Sequence, residues 1–167
     1  MAAFSAVARS PRSDLGARVV RRATSERLNA AFAMLSTVFS VHRFIAGGFG
    51  LSLLLAPDAV NAAMTSREMP TEERLTLQSW ACFMIGVAGI AHYAPTFPAE
   101  AQRAVAKSLL LCFVLESLLY TKALLLDLKE AEAGYRAGFG LTGSIFAGLA
   151  IAYGTALMQP SGGVGMQ

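Results

Sequence analysis

Residues 137–158 form a segment without a single charged side chain. As an α-helix rising about 1.5 Å per residue, the segment is long enough to cross a hydrocarbon core of about 30 Å. A helix that is apolar on every face must be surrounded by a large protein interior or by lipid. A chain of 167 residues has no interior of that size. The segment therefore predicts a membrane-spanning helix.

The composition of the whole chain agrees with this prediction. Hydrophobic residues make up 54% of the chain and charged residues only 15%, against about 25% charged in ordinary soluble domains. Three further apolar segments precede the last one, within residues 28–56, 75–93 and 104–126. We therefore expect an all-α fold, a four-helix transmembrane bundle over residues 28–158, followed by a flexible Gly-rich tail at 159–167.

The first apolar segment is long for a simple crossing, at about 43 Å as one helix. In one interpretation its beginning is an interfacial helix, and the crossing runs from residue 44 to about 64. That interfacial face would contain Leu28, Phe32, Leu35 and Phe39. In the other interpretation a tilted helix spans about residues 32–56 and places Arg43 near mid-depth. Pro57 followed by Asp58 favours the second interpretation, because this pair is a natural helix stop.

Residues 1–27 form a basic arm that contains six arginines and only two acidic residues. An Arg-rich, Ser-rich and acid-poor N-terminus is typical of an organelle transit peptide, which is removed on import. The alternative is an uncleaved arm on the positive side of the membrane. The density of arginine over serine favours a mitochondrion over a plastid. A basic folded face for nucleic-acid binding is not evident.

Glu116 lies halfway along the third apolar segment. An acidic or basic side chain at the centre of a bilayer costs roughly 2.5–3.5 kcal/mol on insertion scales, so a compensating partner or a functional role is expected. The partner would be Arg43 if the first helix is tilted, or a tyrosine, or another subunit. The alternative role is a proton- or cation-carrying carboxylate in a transport path.

His92 falls near the end of the second predicted helix, and His42 falls near the start of the first crossing if that crossing begins at residue 44. If both reach one membrane face, the paired imidazoles offer a haem site. The run from Ser40 to Arg43 resembles, over a few residues, the Ser-x-x-His-Arg stretch of succinate dehydrogenase membrane anchors, although here the serine is one residue closer. Histidines without any ligand are the simpler interpretation. Trp80 is interpreted as an interfacial anchor.

Small residues recur at every fourth position of the last segment, which forms a flat ridge on one helix face. The ridge consists of Gly140, Ser144, Gly148, Ala152 and Ala156. Either it packs inside the bundle or it is a face for self-association or for another subunit. A shorter ridge of the same kind, at Gly48, Ser52 and Ala56, lies on the first helix.

The sequence contains no catalytic or metal-binding motif with the spacing that such chemistry requires. Its predicted loops are too small to hold a soluble active site. We therefore expect a non-catalytic accessory or scaffold subunit of an organellar complex, in the mitochondrial inner membrane and of the respiratory type. The alternatives are a small oligomeric transporter or channel that uses Glu116, and a haem- or quinone-associated membrane anchor.

Overall fold

The computed structural model describes residues 11–159, with side chains described at residues 22–26 and from residue 29 onward. All regular structure in this part of the chain is helical. The five α-helices are α1 (Pro11–Leu55), α2 (Pro57–Ala62), α3 (Thr71–Tyr93), α4 (Ala99–Lys122) and α5 (Ala133–Met158). A 3₁₀ turn at Ala94–Thr96 follows α3, and a π-helical turn at Ala123–Asp127 extends α4.

Four helical segments within the described residues are long and apolar enough to cross a membrane, as the sequence predicts. They are Arg22–Leu55, Thr71–Thr96, Ala99–Asp127 and Ala133–Met158. The last ends at the predicted residue. The second begins at Thr71, four residues before the predicted apolar segment, where Pro70 precedes the helix and two glutamates occupy its first turn. Acidic residues at a helix N-terminus favour the helix dipole.

The first helix differs in two ways from the first of the two interpretations. It is continuous through Arg43 and stops at Leu55, before Pro57, so a single crossing over residues 44–64 is wrong. Leu35 and Phe39 are buried in the bundle, so they do not form the face of a separate interfacial helix. The side chain of Leu28 lies outside the described ones, and Phe32 is half-buried.

The basic arm and residues 57–74, which separate the first two apolar segments, also contain more helix than expected. From Pro11 onward the arm is helical and continuous with the first crossing, since its arginines and alanines are strong helix formers. Residues 57–62 form α2, which begins with proline at its first position, a favourable place for that residue. The first ten residues of the arm and the tail after residue 159 lie outside the described residues.

The helices pack as two pairs, α1 with α3 and α4 with α5, and the pairs meet along α1 and α5. Small residues allow α1 to approach α3 closely: Gly50 faces Ala81 and Ile85, and Gly47 faces Ala88. The predicted ridge at Gly48 and the residues one and two turns after it instead lies on the exposed side of α1. The face of α1 that contacts α3 is therefore not this ridge.

Hydrogen bonds between polar side chains link the interhelical loops at the end of the bundle where α1 finishes. Glu132 accepts a hydrogen bond of 2.8 Å from Thr65 Oγ1, which joins the loop after α2 to the start of α5. Arg67 donates to both carboxylate oxygens of Glu73, and this hydrogen bonding raises the pKa of Arg67. Both partners are exposed, so the pair contributes little to stability.

At the opposite end, Arg103 of α4 donates a hydrogen bond of 3.0 Å to the carbonyl oxygen of Leu157, near the end of α5. Gln102 donates to the carbonyl oxygens of Pro95 and Phe97 in the turn between α3 and α4. Phe39 of α1 packs edge-on against Tyr153 of α5, with ring centroids 5.5 Å apart. The entering part of α1 and the end of α5 thus lie at the same end of the bundle.

Candidate functional site

The most enclosed polar contact in the bundle joins His42 of α1 to Tyr153 of α5. His42 is 2% exposed and Tyr153 is fully buried. His42 Nδ1 and the Tyr153 hydroxyl oxygen are 2.9 Å apart and share a hydrogen bond. In lipid no water is available to hydrogen-bond a polar group, so this bond satisfies both side chains. It therefore fixes the relative position of the two helix pairs.

Aromatic rings surround this hydrogen bond. Phe113 of α4 contacts the His42 ring edge-on, with centroids 4.9 Å apart. The same phenyl ring stacks on Tyr153 at 5.9 Å and on Phe146 at 5.8 Å. Offset stacked and edge-to-face geometries are the favourable ones for aromatic pairs. Phe113 is therefore the central ring of the core, in contact with groups from both α1 and α5.

The His42–Tyr153 hydrogen bond gives a stability prediction. We expect Tyr153→Phe to lower the free energy of unfolding by about 1 kcal/mol, because interhelical hydrogen bonds in membranes average about 0.6 and reach about 1.7 kcal/mol. Reversible unfolding in mixed micelles with increasing dodecyl sulfate would measure the change. The control is Tyr93→Phe, since Tyr93 is exposed. Equal effects of the two substitutions would contradict the prediction.

The guanidinium group of Arg43 is hydrogen-bonded to a residue of α3. Its NH1 donates a hydrogen bond of 2.9 Å to His92 Nδ1, and its guanidinium lies 4.8 Å from the centroid of the Phe44 ring, in cation–π contact. The structure thus joins Arg43 to His92 and not to Glu116. The two imidazoles also have different partners, one buried against Tyr153 and one exposed beside Arg43, so they are not arranged as paired axial ligands for a haem.

Glu116 is half-buried on α4. Its neighbours one turn before and after are Cys112 and Tyr120, on the same helix face. Among the described residues, no hydrogen bond or ion pair joins the Glu116 carboxylate to another side chain. The expected contacts to Arg43 or to a tyrosine hydroxyl are therefore not formed in the structure. The Glu116 carboxylate, in the middle of α4, therefore has no hydrogen-bond or ion-pair partner among the described residues.

Glu116 lines a partly open cavity of about 70 Å³, to which all four long helices contribute residues. Its walls are apolar and aromatic, apart from Glu116, His42 and Cys112. From α3 the lining residues are Trp80, Phe83, Met84 and Val87. The remaining apolar walls come from α1, α4 and α5 and comprise Ile45, Ala46, Phe113, Phe146 and Leu149.

The cavity exists because α3 and α4 do not pack against each other along their lengths. They are joined by the short turn at residues 94–98, and each packs mainly on a different partner, α1 or α5. The space between them is filled only in part by the side chains of Phe83 and Phe113. Trp80 lines this space, and its interpretation as an interfacial anchor stays a prediction.

Sequence reasoning singled out Glu116 and His42, which line the cavity, but missed most of the remaining wall. On α3 a usable signal was present, since Trp80, Phe83, Met84 and Val87 are spaced as one helix face. In a helix that is apolar all round, however, this spacing does not distinguish a face that lines a cavity from one that faces lipid. Only the position of α4 opposite α3 makes the distinction.

The small-residue ridge of α5 is divided between the inside and the outside of the bundle. Ala156 is buried, and Gly140 and Ala152 are half-buried, whereas Ser144 and Gly148 are exposed. A Cβ atom built at Gly148 would have no neighbouring heavy atom within 4 Å. Internal packing therefore accounts for one end of the ridge and not for its centre.

The described side chains include no group of three or more histidine, cysteine, aspartate or glutamate residues placed to hold a metal ion. The site instead offers a carboxylate in an apolar, aromatic cavity between helices that are long and apolar enough to span a membrane. Comparison of the chain with models of protein families, with curated proteins and with solved structures gave no match in any of the three.

Proposed function

We propose that this protein is a non-catalytic accessory or scaffold subunit of an organellar membrane complex, and that it assembles through the outer face of α5. The observation that carries the proposal is the exposed centre of the small-residue ridge, at Ser144 and Gly148. In lipid, small residues let another helix approach closely, and van der Waals packing then drives association. The bundle itself does not use these two positions.

The membrane we propose is the mitochondrial inner membrane, with a plastid membrane as the alternative. Support comes from the composition of the arm, whose arginines are typical of an import signal. They also place the excess of positive charge at the end where α1 enters the bundle, which favours the matrix or stroma for that end. A respiratory complex is the assembly that this location favours.

Mild detergent extraction followed by native-gel separation tests the proposed role. A scaffold subunit should migrate with other membrane chains in a large assembly, and those chains can be identified from the gel slice. Migration only as a single chain, at every detergent concentration that preserves known complexes, would contradict the proposal.

The substitution Gly148→Leu gives a sharper prediction. A Cβ atom added at this position has no heavy atom of its own bundle within 4 Å, so we expect the isolated subunit to keep its stability. At a helix–helix contact the same side chain overpacks the interface at a cost of about 1–3 kcal/mol, enough for at least about fivefold weaker association. Native-gel migration and cross-linking yield would measure the loss.

Gly86→Leu is the matched control for this experiment. Gly86 is also exposed, and a Cβ atom built there likewise meets nothing within 4 Å, but it lies on α3 and outside the ridge. The control should leave assembly unchanged. If Gly148→Leu and Gly86→Leu give complexes of the same size and yield, the ridge is not the assembly face.

A second candidate function, a small transporter or channel, is favoured by the unpaired Glu116 in the cavity. Acidic residues inside membrane segments commonly mark ion and proton pathways. Flux through reconstituted vesicles distinguishes the two roles. A transporter would lose pH-coupled flux on Glu116→Gln, whereas a scaffold subunit would show no such flux before or after the substitution.

A further inference from the structure

We infer that the cavity between α3 and α4 binds the ammonium end of a small lipophilic amine, with Glu116 as the counter-ion. Four features carry the inference: an unpaired carboxylate, aromatic walls, the size of the cavity and its position between two helices that do not pack together. The inference goes beyond an assembly role and does not depend on it.

The carboxylate determines the charge of the ligand. An ionised carboxylate is an acceptor only, and charged groups within membrane segments are normally paired because solvation is not available to them. The nearest basic candidate on α1, Arg43, is bonded to His92. The two lysines of α4, at positions 107 and 122, are exposed, and Lys122 pairs with Asp127. The ligand therefore supplies the missing donor and positive charge.

The aromatic walls favour the same ligand class. Trp80, Phe83, Phe113 and Phe146 all line the cavity, and the face of an aromatic ring attracts a cation with an energy that increases when the cation is desolvated. An indole is the most favourable of these faces. A carboxylate combined with aromatic rings thus selects a cation with an apolar body over a neutral lipophile or a hydrated metal ion.

The volume of the cavity limits how much of the ligand is enclosed. At about 70 Å³, it is smaller than an engineered apolar cavity of about 150 Å³ that holds one benzene. It can enclose an ammonium group and the carbons next to it. The rest of an amphiphile then lies between α3 and α4, where apolar side chains such as Phe83 reach the exposed surface.

Trp80 is the only tryptophan of the chain and lies in the cavity wall, so it reports directly on occupancy. The probe is 2-(4-bromophenyl)ethylamine, whose bromine quenches indole fluorescence on contact. The matched neutral probe is 2-(4-bromophenyl)ethanol. We expect saturable quenching of the purified, reconstituted protein, with the amine half-saturating at a concentration at least about tenfold lower than the alcohol.

The comparison is biased against the inference, which makes a positive result informative. The alcohol enters lipid more readily than the charged amine, because burying an unpaired charge is costly. Unspecific quenching from the bilayer therefore favours the alcohol. Equal half-saturation by the two probes, or a preference for the alcohol, would overturn the inference without any variant being made.

Substitutions then locate the preference. Glu116→Gln should reduce the preference for the amine to less than about threefold, whereas Glu116→Asp should retain most of it. The control is Glu100→Gln, at the start of the same helix and outside the cavity, and it should retain the full preference. A preference that survives Glu116→Gln in a variant with native helix content and native elution volume would overturn the assignment to Glu116.

Failure of this inference and failure of the assembly role are separate results. The probe experiment reads ligand binding on the isolated chain, whereas the assembly experiment reads complex size. Binding without flux would also separate the site from the transporter alternative.

Discussion

Replacing Phe113 by alanine is expected to lower the free energy of unfolding by about 3 kcal/mol. Phe113 is 4% exposed, and its ring contacts three other rings, those of His42, Phe146 and Tyr153. Its removal leaves a void where helices from both pairs meet. Phe→Ala substitutions in protein cores cost about 3–5 kcal/mol.

We expect the lower end of that range because of the membrane. In water the cost includes the transfer of the side chain out of solvent, but lipid is as apolar as the core, so only the packing part of the cost remains. Dispersion contacts of a buried ring are many and individually small. The void would also join the neighbouring cavity, since Phe113 forms part of its wall.

Unfolding with dodecyl sulfate in mixed micelles, followed by circular dichroism, measures this change. The matched control is Phe83→Ala, at a phenylalanine that also lines the cavity but is 65% exposed. We expect it to cost less than about 1 kcal/mol, as substitutions away from the core usually do. Comparable losses for the two variants would show that Phe113 is not the centre of the core.

The positions of the helices could be predicted from the sequence because lipid imposes strict local rules. A crossing needs a long run without charge, and its ends are marked by prolines and charged residues. The stop before Pro57, the start at Thr71 and the end at Met158 all follow from such local signals. The continuation of α1 back to Pro11 was missed because the charges of the arm suggested that the helix begins after residue 27, whereas it is continuous through that position.

The neighbours of each helix could not be predicted, because apolar residues on all faces remove the usual distinction between inside and outside. Small residues on α1 illustrate this: Gly47, Gly48 and Gly50 lie within one turn, and the sequence does not show which of them faces another helix. The hydrogen-bond partner of Arg43 could not be predicted for the same reason. Once α1 packs on α3, Arg43 meets His92, and Glu116 is left on the far side of the cavity.

Gly50→Leu is therefore expected to be the second most damaging substitution. A Cβ atom built at Gly50 would lie 2.8 Å from Ile85 Cγ1, 3.1 Å from the Ala81 carbonyl oxygen and 3.3 Å from the Ile85 nitrogen. Two of these three atoms belong to the backbone of α3 and cannot move aside as a side chain does. Overpacking typically costs about 1–3 kcal/mol, and we expect the upper half of that range.

Gly48→Leu is the control for Gly50→Leu, because it lies two residues away and its added Cβ meets nothing within 4 Å. Both substitutions gain the same helix propensity, about 0.8–1.0 kcal/mol for replacing glycine by a good helix former, so this gain cancels in the comparison. The free energies of unfolding of the two variants in mixed micelles should then differ by at least about 2 kcal/mol.

A cavity bounded by α3 also predicts a change in Trp80 fluorescence for Gly50→Leu alone, since a displaced α3 carries Trp80 with it. Variants of equal stability and equal emission would show that α1 and α3 do not approach each other through Gly50.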